Sequence, residues 1–265
     1  MFSIKKYPLE DLELKDCFDG AVPLVIQTPV EWKLDELADA LRSMRFSMYR
    51  FPHDVIACAR QDADNSITTL DDFLARQEEY RGDREHVYKV ISNLEDSGFA
   101  RLTALFSRLN EKFIAGANSD YRNLWVNFLG EGTGLHFDLP NAFNLQLIGE
   151  KTYHIAEPGS RGYYPFGWFG GKGHCSRIPD IQNVDEDRFP LFRKVRKKFQ
   201  TVVLRQGEVM FMPSCWWHQV DSNHELNMNL TWGRIDYSGS VRHPRQTLSS
   251  VVTYIYRKVF YPHIY

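Results

Sequence analysis

The sequence predicts a mainly β protein, an antiparallel sandwich or barrel with helices flanking it. Two observations carry this. From Arg122 onward the apolar period changes from about 3.6 to 2. The segments "NLWVNFLG", "GLHFDL", "FNLQLI", "KTYHIA", "FQTVVL", "EVMFM", "HQV" and "MNLTW" are short alternating runs split by Gly, Pro or Asn, the pattern of strands that close into sandwiches and barrels. An aromatic content of 14% suits a β-rich fold with a lined pocket.

Taken in order, "VPLVIQTPV" reads as a strand ending at Pro29. "EWKLDELADALRSMRF" comes next, with Leu34, Leu37, Leu41 and Met44 at the spacing of an amphipathic helix. "SITTLDDFLARQEEY" reads as a helix capped by Thr69, with Asp71 and Asp72 in its first turn. A third helix is expected over 98–114, with Leu102, Leu105, Phe106 and Leu109 on one side. Residues 1–115 are therefore predicted to be mostly helical and to lean on a β core at 121–235. An insertion at 157–198 interrupts that core, and its start, "PGSRGYYPFGWFGGKGHC", reads as a mobile loop. Within 240–265, "RQTLSSVVTYIYRKVFY" reads as an apolar-periodic helix that covers the barrel or pairs with a second subunit as a homodimer. No internal repeat or low-complexity linker is seen, so 265 residues make a single domain with appendages.

Hydrophobic content of 43% and charged content of 25% are ordinary for a soluble globular protein. With a net charge of −2 and a pI of about 6.5, no global field draws the chain to nucleic acid or membrane. The basic run "FRKVRKKFQ" reads as a solvated face rather than an RNA contact. The first residues carry acids and no apolar stretch of the signal-peptide kind, and no run of 18 apolar residues occurs. Cys17, Cys58, Cys175 and Cys215 are scattered, as reduced thiols of a cytoplasmic protein would be.

The chemistry concentrates in "GLHFDL" and in the strands C-terminal to it. In a strand, residues i and i+2 share a face, so His136 and Asp138 converge while Phe137 turns away. Gly149-Glu150 has the form of a hairpin turn, which would pair Ile148 with Lys151, Gln146 with Tyr153 and Asn144 with Ile155. His218, after "GEVMFMPSCWWH", is the best third ligand. Two imidazoles and a carboxylate make a facial triad that leaves three coordination positions open, as non-haem Fe(II) oxygenases require. Thiolate-free ligation argues against structural zinc. His53, His86, His154, His174, His224, His243 and His263 read as surface or structural residues.

The matches "NLWVNFLGEGTGLHFD", "NLQLIGEKTYHIAEPG", "VLRQGEVMFMPSCWWHQV" and "NLTWG" resemble the JmjC-like, cupin-type Fe(II)/2-oxoglutarate oxygenases. The resemblance implies a double-stranded β-helix that holds Fe(II) with His136, Asp138 and His218. It also implies that Lys151 pairs with the far carboxylate of 2-oxoglutarate and that Thr133 hydrogen-bonds the same end. The sequence departs from the family at two places. Ala142 stands where many relatives have asparagine, with Asn141 and Asn144 nearby, and Asn229 or Thr231 takes the polar place near the last strand. The implied activity is hydroxylation with 2-oxoglutarate and O2 as co-substrates, on a peptide, amino acid or small molecule. Tyr163, Tyr164, Trp168 and Phe169 of the insertion are the expected substrate-contacting lid. Two other readings stand beside it: a cupin that oxidises its substrate without 2-oxoglutarate, and a binding module that has lost catalysis.

Overall fold

The computed structural model describes residues 2–12, 17, 21–28, 32–42, 44–52, 63–94, 101–102, 121–128, 130–159, 161–235 and 241–261. Its strands are β1 (Lys5–Pro8), β2 (Leu24–Gln27), β3 (Arg45–Pro52), β4 (Asp64–Thr69), β5 (His86–Asn93), β6 (Tyr121–Phe128), β7 (Thr133–Phe137), β8 (Pro140–Ile148), β9 (Lys151–Ala156), β10 (Gln200–Leu204), β11 (Glu208–Met212), β12 (Trp217–Ser222) and β13 (Leu226–Ile235). Among the described residues four helices accompany them: α1 (Leu34–Leu41), α2 (Leu70–Ala75), α3 (Gln77–Gly82) and α4 (Pro244–Phe260).

The strands form two sheets. The larger has the order β1-β2-β11-β8-β13-β6-β5-β3-β4, the smaller β10-β9-β12-β7. From β8 onward the chain passes from the large sheet to the small one, back through β11, across again to β12 and back to β13. This alternation builds a double-stranded β-helix. Val25, Ala142, Met210 and Met212 of the large sheet share one cluster with Tyr153, Ile155 and Leu204 of the small one, so the two sheets face each other.

Both sheets are covered outside as well. Leu37 and Leu41 of α1 and Phe73 of α2 join Phe128, Phe143, Leu230 and Trp232 behind the large sheet. Leu135, Phe137 and Trp217 of the small sheet bury against Tyr163, Ile178 and Phe192 of the insertion. Covering on both faces is why several strands read as nearly continuous apolar runs.

The crossings correct one expectation. Ile148 does not pair with Lys151 in a hairpin: β8 pairs with β11 and β13, and β9 with β10 and β12. Gly149, at φ 75°, swings the chain from one sheet to the other, and a Cβ there would collide with Leu226 O. A short glycine turn has the same sequence whether it folds back in its own sheet or crosses to the facing one. Only the partner strands decide.

The described residues among the first 115, expected to be mostly helical, hold more strand than helix. Among the described residues they hold five strands, β1 and β2 at one edge of the large sheet and β3, β4 and β5 at the other. "RFSMYRFP" and "HVYKVISN" have a period of 2 that lies between stronger helical signals. Thr69 caps as expected, accepting from Asp72 N at 3.1 Å, but "SITT" before it is strand. The helix expected at 98–114 lies outside the described residues except for 101–102, which are helical.

The start of the insertion, expected to be a mobile loop, holds a 3-10 turn at Arg161–Tyr163 with Tyr163 buried, and further 3-10 turns at Pro190–Lys194 and Arg196–Lys198 complete a packed cover. Helix α4 closes one end of the barrel, though not by its apolar residues. Its buried side is polar: Gln246 donates to Cys215 O at 2.7 Å, Ser249 donates to Gly173 O at 3.0 Å, and Thr253 accepts from Gly173 N at 3.1 Å. Leu248, Val251, Ile255 and Val259 face outward.

Candidate metal centre

β7 and β12 are neighbours in the small sheet, and their register sets His218 directly opposite His136. Asp138 comes immediately after β7. The ligating atoms of these three side chains all lie within 4.8 Å of one another. His136 Nε2 and His218 Nε2 stand 3.8 and 3.7 Å from Asp138 Oδ2, and the ring centroids are 4.2 Å apart.

Each imidazole is held from behind. His136 Nδ1 lies 2.7 Å from Gly134 O, and His218 Nδ1 lies 3.0 Å from Trp216 O. A carbonyl oxygen only accepts, so each Nδ1 carries the proton and each Nε2 lone pair points to the centre, the tautomer a metal ligand needs. Burial pushes the His218 imidazole below its ordinary value, which keeps it neutral. Burial alone would raise the Asp138 carboxyl, but His136 and His218, with His174 and Arg257 adding to them, hold it below its usual range. The corner before β12 is fixed too: Cys215 N donates to Asp138 O and Ser214 N to Asn141 Oδ1, both at 2.7 Å. Two imidazoles and a carboxylate, with no thiolate, suit Fe(II).

The triad opens into a cavity of about 480 Å³ between the sheets. Thr133 and Lys151 both line it, and both also border a small void beyond it. Thr133 faces inward only because β7 is bulged. His136 pairs with His218 and Thr133 with Val220, so Gly134 and Leu135 together oppose Gln219. The extra residue lets two side chains three positions apart share a face.

Lys151 is 6% exposed and donates to Asn229 Oδ1 at 2.5 Å. Asn229 Nδ2 donates to Thr231 Oγ1 at 3.3 Å, and Thr231 in turn to Asn144 Oδ1 at 2.8 Å. Opposite Asn229 on β6 is Trp125, whose buried Nε1 has no hydrogen-bond partner among the described residues. An indole donor without a partner beside a cavity can serve an acceptor bound there.

Burial pushes the Lys151 ammonium down to about 7; Lys89 pushes the same way and Glu131 opposes both. Burial likewise lifts Glu131 to about 7, against the pull of Lys89. Lys89 donates to Gly132 O, and Glu131 accepts from Phe128 N at 2.8 Å.

The structure thus brings Thr133, Asn144, Asn229 and Lys151 into one cavity with His136, Asp138 and His218. It does not do so for the expected lid. Tyr163 is fully buried, its ring 5.2 Å from that of Trp217, and Tyr164 packs on Phe189 while its hydroxyl accepts from Leu191 N. Trp168 and Phe169 are exposed and do not border the cavity. These glycine-spaced aromatics are either anchors of the cover or surface residues. The insertion contributes His174 instead, a residue expected to be surface or structural, and α4 contributes Tyr254 and Arg257. Tyr121, Asn123 and Trp125, alternating along β6, form a wall that a period-2 reading of "YRNLWVNF" reveals.

Single replacement of His136 or His218 by alanine is expected to weaken Mn(II) or Fe(II) binding by roughly a hundredfold or more, since losing even an outer-shell partner costs ten- to hundredfold. Titration calorimetry with Mn(II) reads this, and affinity equal to wild type contradicts the assignment.

The family model described as a cupin-like domain matches residues 26–237. HSPB1-associated protein 1 of Bos taurus is 30% identical over 141 residues, 48% of this chain and 26% of that protein. JmjC domain-containing protein D of Dictyostelium discoideum is 31% identical over 102 residues, 38% of this chain and 22% of that one. tRNA wybutosine-synthesizing protein 5 of Mus musculus is 30% identical over 98 residues, 37% of this chain and 29% of that one. The matched stretches span less than a third of the length of these relatives. With the family model running over most of its length and the triad in place on a double-stranded β-helix, the chain belongs to the JmjC-like, cupin-like domain family.

Proposed function

We propose that this chain is an Fe(II)- and 2-oxoglutarate-dependent oxygenase that hydroxylates a C–H bond. Its substrate is an amino-acid side chain of a protein or peptide, a free amino acid, or a small natural product. The observation that carries this reading is a cavity with a facial triad and a buried ammonium in its wall. A buried lysine is costly unless an anion meets it. A dicarboxylate that chelates the metal at one end gives Lys151 that anion at the other. A cupin oxidising its substrate directly would give neither Lys151 nor the Trp125 N–H an acceptor.

His136, Asp138 and His218 would hold the metal on one side, leaving its other side to the cavity. Iron with 2-oxoglutarate and O2 supplies the oxidising chemistry, yielding succinate, CO2 and a hydroxylated product. The protein's own work is placement and exclusion of water. Lys151, anchored by Asn229, fixes the far carboxylate, and Thr133 and Trp125 add donors beside it. The apolar walls of Phe51, Ile91 and Val220 keep the site dry.

One relative is named for wybutosine synthesis on tRNA. In this chain Arg193 and Arg196 of the basic run pair with Glu186 while Lys194, Lys197 and Lys198 are exposed, and it is the net charge of −2 that supports a protein or small-molecule substrate over RNA. The scattered and buried Cys17, Cys175 and Cys215 support a cytoplasmic site of action. Among the described residues no helix is long and apolar enough to cross a membrane.

Binding of a carboxylate requires the ammonium form of Lys151. The unliganded pKa is about 7, so affinity for 2-oxoglutarate is expected to be nearly flat below neutrality. Above it, affinity falls about tenfold per pH unit, because one proton is taken up on binding. Glu131→Gln removes the charge that supports the ammonium and moves the break to lower pH. Lys151→Met abolishes the pH dependence together with most of the affinity. Calorimetry of the Mn(II) form across pH measures all three, and a pH-independent affinity in the wild type contradicts the role of Lys151.

We also infer a homodimer through α4, whose Leu248, Val251, Ile255 and Val259 form an exposed apolar stripe. Val251→Glu with Ile255→Glu is expected to halve the sedimenting mass; an unchanged mass contradicts the dimer.

A further inference from the structure

Tyr153 is a buried phenol in the cavity wall that neither the triad nor the Lys151 end uses. It is 3% exposed and borders the cavity. Among the described residues its hydroxyl has no hydrogen-bond partner. Burial raises the phenol well above its ordinary value, so the group keeps its proton and acts as a donor. A buried hydroxyl without an acceptor costs stability, and a phenylalanine would fill the place without that cost.

The register says what passes over it. Val220 pairs with Tyr153 on one side and Thr133 on the other, His218 with Ile155 and His136, and Ser222 with Lys151. Side chains two apart on a strand share a face. The floor of the cavity therefore has three rows: the imidazoles, then Tyr153, Val220 and Thr133, then Lys151. A dicarboxylate chelated at the first row and held at the third lies across the second.

The facing sheet supplies a second donor. The Lys151 ammonium can only donate, so Asn229 turns Oδ1 to it and Nδ2 to Thr231. Thr231 donates onward to Asn144 Oδ1, which leaves Asn144 Nδ2 as the donor at the end of the chain, in the cavity wall. Ala142, where many relatives have asparagine, packs in the same cluster as Tyr153, and its short side chain leaves the phenol room. The far carboxylate already has Lys151, Thr133 and Trp125 near it. The carboxylate at the metal end gives one oxygen to the metal and turns its second to the wall.

We propose that the Tyr153 hydroxyl, with Asn144 Nδ2 opposite, donates to the second oxygen of the co-substrate's metal-side carboxylate. This rests on the oxygenase reading above. Tyr153 then serves the chelating end as Lys151 serves the far end.

The test uses the full chain and Tyr153→Phe, which removes the hydroxyl and keeps the ring. Without ligand the variant is expected to melt no lower than wild type, because the lost hydroxyl had no partner. Manganese titration reports that its metal site is intact. Calorimetry on the Mn(II) form then compares 2-oxoglutarate with 2-oxobutyrate, which keeps the chelating end and lacks the far carboxylate. Tyr153→Phe is expected to weaken both roughly tenfold, the worth of one hydrogen bond to a charged group. Lys151→Met weakens 2-oxoglutarate alone. With Fe(II) and no oxygen, the visible band of the 2-oxoglutarate complex is expected at higher energy in Tyr153→Phe, because a donor on the keto acid stabilises its electron-accepting orbital. Unchanged affinity for 2-oxoglutarate, an unmoved band, a loss confined to the ligand with the far carboxylate, or a lower melting temperature without ligand overturns the proposal. Where 2-oxobutyrate binds too weakly to measure, the band decides. Failure of metal-loaded wild type to bind 2-oxoglutarate strikes the co-substrate reading instead.

Discussion

Two imidazoles brought face to face across neighbouring strands, each tied by Nδ1 to a backbone carbonyl, set the terms for everything around them. Their Nε2 lone pairs and the Asp138 carboxylate point at one centre, an arrangement with no value to the fold. Polar groups aimed at one another without a proton or cation between them cost stability. The fold offsets this with dense packing on the reverse of the same strands, where Phe137, Trp217 and Tyr163 fill the space behind the ligands. Function and stability thus occupy opposite faces of β7 and β12.

A second constraint acts at the Lys151 end. Lys89, Glu131 and Lys151 are all nearly excluded from water, and each weakens or supports the charge of the others. Such a cluster responds to an arriving anion more than a surface lysine would, because the low dielectric that makes the ammonium costly also strengthens its pairing. Co-substrate recognition and proton uptake become one event.

The site is far more legible in the sequence than the frame that holds it. His136, Asp138, Lys151 and His218 are polar residues in strand-like runs, where polar side chains need a reason, and their spacing converges under the simple rule of alternation. That rule fails at Thr133, where a bulge at Gly134–Leu135 reverses the face, and only the resemblance to related enzymes singles out this residue, which borders the cavity. Asn141 stands out in the sequence only as a neighbour of the family's missing asparagine; its actual work, gripping Ser214 N at the corner before His218, is a tertiary contact. The Gly149 turn misleads because sheet crossing leaves no local trace. The aromatics of the insertion mislead in the opposite way: Tyr163 is large and glycine-flanked, yet it is core. Arg257 is invisible because a helical arginine in "YIYRKVFY" reads as solvated, and only the docking of α4 on Gly173 turns it inward.

The most direct measurement is optical. Fe(II) and 2-oxoglutarate are added together to the protein without oxygen. If the triad leaves adjacent coordination positions open and Lys151 holds the far carboxylate, chelation of the iron by the keto acid gives a weak visible charge-transfer band that succinate does not produce. Iron bound by the protein with no such band on adding 2-oxoglutarate would contradict the account.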